Sequence, residues 1–90
     1  MKSMKFEITN NNGKKIICEV IATYHYDETN KDFIVYTDGS YNVNNKLNLF
    51  YSLYKEKDNA IELIDIISIE DKKIGLELIK ELLNDMNNNC

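Results

Sequence analysis

Ninety residues, 43% hydrophobic and 29% charged, are expected to form one small globular domain, with no room among them for a second. The formal charge is −4 and every basic residue is a lysine, at most paired, which argues against a nucleic-acid partner because phosphate contacts need clustered cations and base readout favours arginine. No apolar run approaches the roughly 20 residues that cross a bilayer, so the expectation is a cytoplasmic chain with no membrane partner, and a basic or apolar partner fits the charge better than an acidic one.

Residues 1–3 read as a short extension. Met4-Lys5-Phe6-Glu7-Ile8-Thr9 then alternates strictly, a strand with Met4, Phe6 and Ile8 on one face. A three-residue turn Asn11-Asn12-Gly13, with Gly13 in the left-handed region, pairs Ile8 with Ile16, Phe6 with Cys18 and Met4 with Val20. A two-residue turn would set Phe6 against Glu19 instead, since one step of register flips every side chain. Lys15 to Tyr26 is a long second strand whose drier set is Ile16, Cys18, Val20, Ala22, Tyr24 and Tyr26. A loop from Glu28 to Lys31 places Tyr26 opposite Phe33 and Tyr24 opposite Val35. After the Asp38 to Lys46 loop, Val35 meets Leu49 and Phe33 meets Tyr51, so three hairpins agree on one unbroken apolar face.

A fifth strand spans about Ala60 to Ile67. Ser68-x-x-Asp71 has capping-box spacing, and Ile69 with Ile74 forms a staple if Glu70 is the cap instead. From Asp71 to Met86, Ile74, Leu78, Leu82 and Met86 recur every four residues opposite a polar side, an amphipathic helix. Gly75, inside its apolar arc, costs about 1 kcal/mol against alanine and so marks a place where a sheet tyrosine, Tyr24 or Tyr51, packs over the helix. Residues 87–90 read as a disordered tail. Cys18 reads as a small buried hydrophobe, with no disulfide to Cys90. The fold class is α+β: over residues 4–86, a five-stranded antiparallel β-meander with one C-terminal amphipathic helix packed on one face, across Phe6, Val20, Val35 and Leu49.

Phe6-Glu7-Ile8-Thr9 with Asn12-Gly13, Cys18-Glu19-Val20, Phe33-Ile34-Val35-Tyr36-Thr37-Asp38, Phe50-Tyr51-Ser52-Leu53-Tyr54 and the closing helix together resemble the YrzB-like family of short bacterial proteins, a domain family of unknown function. The resemblance covers about residues 4 to 86. It implies a cytoplasmic location and no established activity. Family members are far more acidic, so the lysines here depart from the pattern.

No catalytic constellation, cofactor motif or metal site is legible. His25, the only histidine, with Asp27 and Glu28 reads as a polar strand end, because zinc needs three or four His or Cys ligands. The loop from Asp38 alternates Asp38, Ser40, Asn42 and Asn44 like a calcium loop, but it has Val43 where glycine is required and Leu49 where glutamate is required. The sheet's second face holds Ile17, Ile21, Ile34, Tyr36, Phe50 and Tyr54 among polar residues. Either that face is the partner surface, for another protein or for a second copy in a homodimer, or the sheet curls and buries part of it. The expectation is a non-enzymatic module that binds a protein or itself, through this face or an exposed edge strand. The alternative is a small acidic inhibitor or mimic acting on a nucleic-acid enzyme.

Overall fold

Five strands, β1 (Lys5–Thr9), β2 (Lys15–Tyr26), β3 (Lys31–Thr37), β4 (Phe50–Lys57) and β5 (Ala60–Ile64), form one antiparallel sheet in chain order, followed by a helix, α1 (Ile69–Asn88). This is the expected α+β meander. The computed structural model describes residues 4–9, 12–58 and 60–88. The extension 1–3, the turn residues Asn10 and Asn11, and residues 89 and 90 of the expected tail lie outside them. Asn87 and Asn88, the other half of that tail, continue the helix, since no glycine or proline after Gly75 stops it.

The first hairpin has the expected register, Phe6 facing Cys18 and Ile8 facing Ile16, with Gly13 at φ +78°. The next two keep the expected facing but slip by two residues: Tyr24 pairs with Phe33, and Phe33 with Leu53. Asn30, at φ +53°, closes the second turn one residue earlier than expected, so β3 begins at Lys31. Asparagine tolerates that left-handed conformation better than most residues. Beyond β3, the segment from Ser40 to Asn48 folds on itself, with Tyr41 bridging Leu47 and the Asn42 side chain accepting from the N–H groups of Asn44 and Lys46. That self-contained loop delays β4 to Phe50. A slip of two leaves every side chain on its own face.

The unbroken face is interrupted by a β-bulge. Val20 opposes Tyr36 while Ala22 opposes Val35, so β2 carries one residue more than β3 between them. Alternation is reset across such an insertion. Ile16, Cys18 and Val20 therefore lie with Ile34 and Tyr36, whereas Ala22 and Tyr24 lie with Phe33 and Val35. The expectation that Phe6 and Val20 sit beneath the helix with Val35 and Leu49 is corrected: Phe6 and Val20 are on the opposite face, and Leu49 precedes β4.

Each face has its own core, and β3 belongs to both. Phe33 and Ile34 are 0% exposed and Val35 2%. On the side away from the helix, Phe6, Cys18 and Ile34 form a cluster against which Val20, Tyr36, Tyr54, Ile61 and Leu63 pack. In a flat five-stranded sheet the outer strands are roughly 19 Å apart. Side chains of β1 and β5 meet in one cluster here, so the sheet is curled and this face is concave. On the other side, Leu78 and Leu82 of α1 lie over Val35 and Phe33, and Gly75 lies against the ring of Tyr51.

The helix start is tied down twice. Ser68 Oγ accepts the N–H of Asp71 at 3.0 Å, which makes Ser68 rather than Glu70 the cap. Asp71 itself is buried at 3% exposure and accepts a 2.7 Å hydrogen bond from Lys31 Nζ at the head of β3. That lysine, aided by Ser68, holds the Asp71 carboxyl below the usual range although burial opposes it. This ion pair ties the first turn of α1 to the head of β3.

Candidate functional site

Of the six residues expected to form a partner surface, Ile34, Tyr36, Phe50 and Tyr54 lie together on the concave face, while Ile17 and Ile21 do not join them. Ile34 is fully buried in the concave core, and Tyr36 and Tyr54 pack against the same cluster. Tyr36 stands edge-on to Phe6, with ring centroids 5.4 Å apart, and stacks on Phe50 at 5.7 Å. Phe50 is at the rim, Ile17 is exposed on the opposite face, and Ile21 is the half-buried residue of the bulge. Of the two readings left open by the sequence, the curl accounts for Ile34, Tyr36 and Tyr54. The continuous apolar phrase Phe33-Ile34-Val35-Tyr36 carries the signal for this, because a strand buried on both faces does not alternate.

The polar candidates are internally satisfied. His25 Nδ1–H donates to Asp32 at 2.7 Å, and Nε2 lies 3.4 Å from Asp27. A carboxylate only accepts, so the Nδ1 proton is fixed by geometry. The Asp32 hydrogen bond raises the pKa of His25 against desolvation, with the charges of Asp32 and Asp27 adding to the rise. Both ring nitrogens are turned to carboxylates on an exposed strand end, and neither Asp27 nor Asp32 brings a nucleophile to the ring. Asp38 accepts from the backbone N–H and the hydroxyl of Ser40, which hold its carboxyl below its ordinary value. Among the described residues, no group of three or more His, Cys, Asp or Glu is placed to hold a metal ion. Cys18 is a free, buried thiol that burial, and secondarily Asp38, pushes up.

The open feature of the fold is the seam where the curl fails to close. β1 and β5 end the sheet, and Met4 to Glu7 face Glu56, Ala60 and Ile61 across a cavity of about 460 Å³. Phe6 and Ile61 line this cavity and belong to the concave core, so the seam opens onto hydrophobic interior. Val20 N–H donates to Met4 O. By alternation along β1, the backbone groups of Phe6 and Ile8 also point to β2, while those of Lys5, Glu7 and Thr9 point into the seam. Four antiparallel steps leave β1 and β5 running in the same direction.

A second exposed apolar feature escaped the sequence reading. Ile69, Leu76 and Leu83 recur every seven residues on the outer flank of α1 and are 72%, 49% and 38% exposed. Their spacing places them together on a helix, and it was legible once the wet and dry sides were separated more finely.

No family model, curated protein or solved structure matches the chain.

Proposed function

We propose that this chain is a non-enzymatic cytoplasmic module that binds another protein by accepting one of its strands into the seam between β1 and β5. The observation that carries the reading is the unclosed edge of a curled sheet with Phe6 and Ile61 at its lip. A strand entering there runs antiparallel to both neighbours, so an odd five-stranded meander becomes a six-stranded antiparallel barrel. Its alternate side chains are apolar, turned inward over Phe6 and Ile61, and its backbone pairs with the outward groups of Lys5 and Glu7. Both edge strands are five residues long and carry charge, which limits indiscriminate pairing. A second copy of the chain is the other possible donor of such a strand, and light scattering on the purified chain separates the two. The free buried thiol of Cys18 suits a reducing compartment. We also propose YrzB-like membership, on the Val35-Tyr36-Thr37-Asp38 phrase and its flanking strands.

The test exploits direction. Proline at Glu7 removes an N–H that points into the seam, not into the β1–β2 ladder, so it blocks strand addition at little cost to the fold. Tagged chain is used to capture proteins from its host. A partner that co-elutes with the parent and with Glu7→Gln but is lost with Glu7→Pro is the expected result. Capture unaffected by the proline, with the thermal transition unchanged, places binding elsewhere.

A further inference from the structure

A second site lies on the helix side of the sheet, independent of the seam. Two adjoining depressions, about 260 and 180 Å³, run between α1 and β2 and share Tyr24, Leu78 and Glu81, so they form one trough. Its floor is apolar: half-buried Ala22, Leu78 and Leu82 lie over the fully buried Phe33 and Val35. Its rim on the helix is a row of carboxylates, Glu77, Glu81 and Asp85, each one turn from the next. The row is about 12 Å long. Tyr24, 47% exposed, forms the facing wall on β2.

This row is electrostatically unfavourable in the isolated chain. Like charges four residues apart repel on a helix, and none of the three carboxylates has an ion-pair partner among the described residues. The C-terminal end of a helix is already its negative end, where cations are favoured. The last turn of α1 carries no basic residue, and Asp85 stands near it. Lys73 is the one cation lining the trough, at its far end beside Glu77.

We propose that this trough binds a cationic amphipathic helix of another protein, with apolar side chains on Ala22, Leu78 and Leu82 and lysines or arginines one turn apart against Glu77, Glu81 and Asp85. An apolar floor selects for the apolar stripe, and the carboxylate row, which outnumbers the single lysine lining the trough, selects for the charge. Repulsion along the row costs the free protein stability, and a bound cationic helix relieves it.

The probe is a fluorescently labelled 14-residue amphipathic peptide of lysine and leucine, titrated by anisotropy against the full chain. Neutralising the row (Glu77→Gln, Glu81→Gln, Asp85→Asn) is expected to weaken binding at least tenfold while raising Tm by about 2–4 °C. Neutralising three carboxylates elsewhere (Glu19→Gln, Glu62→Gln, Asp65→Asn) makes the same change in net charge and is expected to weaken binding less than threefold. Tyr24→Ser, which removes the wall, is expected to weaken it about fivefold or more. Equal weakening by the two charge triples, absence of binding to the parent, or peptide-induced amide shifts that avoid β2 and α1 would each overturn the proposal.

Discussion

Gly75 and Tyr51 fit against each other so closely that a Cβ on the glycine would lie 2.1 Å from Cδ2 of the ring. The glycine is there because the ring is. Alanine at an ordinary helical position gains about 1 kcal/mol over glycine, but here it must displace an aromatic ring wedged between β4 and α1, and overpacking of that kind costs about 1–3 kcal/mol. Gly75→Ala should therefore destabilise the domain by about 1–2 kcal/mol in urea. In a Tyr51→Ala background the same change should stabilise it, and a double-mutant cycle reads the reversal of sign directly.

Two isoleucines on opposite faces separate the curled sheet from a flat one. Ile34 is 0% exposed and Ile17 is 57% exposed, although a sheet without a bulge puts both on one surface. Ile34→Ser should cost about 3 kcal/mol or more, through a cavity and a buried hydroxyl. Ile17→Ser should cost less than about 1 kcal/mol. Thermal denaturation of the two variants measures the contrast.

The Lys31–Asp71 pair makes a pH-dependent contribution whose sign is fixed by the direction of the shift. Lys31 depresses the folded pKa of Asp71, so the unfolded chain binds the proton more readily. The contribution is thus complete above the ordinary carboxylate pKa of about 3.9 and is lost as pH falls through the lower folded value. Lys31→Met should destabilise the chain at pH 7 by about 1–2 kcal/mol, less than for a fully buried pair because the lysine side chain is 41% exposed. The difference from the parent should shrink as pH is lowered past 4, followed by circular dichroism.

His25 titrates in the opposite sense. Its folded pKa is raised, first by the Asp32 hydrogen bond, so whatever stability the pair contributes is complete below the ordinary value of about 6.5 and is lost as pH rises through the folded value. Asp32→Asn should lower the His25 midpoint seen by NMR. An unchanged midpoint would mean that Asp27 alone holds the ring.

Local physics made most of the fold legible. The alternation of Met4, Phe6 and Ile8, the glycine of the first turn and the four-residue spacing of Ile74, Leu78 and Leu82 each belong to one element, and each is found as read. The glycine in the helix even announced a ring, Tyr51 of the two tyrosines considered. The bulge was not legible, because Val20-Ile21-Ala22 contains no glycine or polar break and alternation looks continuous across it. Facing beyond that point is a tertiary property: the run Phe33-Ile34-Val35 must be covered from both sides, and only an insertion in β2 lets the N-terminal hairpin and the helix each cover one. The bulge also separates Ile17 from the expected partner face, whereas Ile34, Tyr36 and Tyr54 share one face as read, and the curl, the second alternative open in the sequence, covers it. The trough between α1 and β2 and the seam between β1 and β5 are products of the curl, and no spacing within a single element encodes either.

The unclosed seam is the claim on which the functional reading rests, and amide hydrogen exchange along β1 in the free chain measures it most directly. The N–H groups of Phe6 and Ile8 bond across to β2, whereas those of Lys5 and Glu7 face the gap, so protection should alternate, slow at Phe6 and Ile8 and fast at Lys5 and Glu7. Slow exchange at all four positions would mean that β1 is already paired on both sides, leaving no place for a partner's strand.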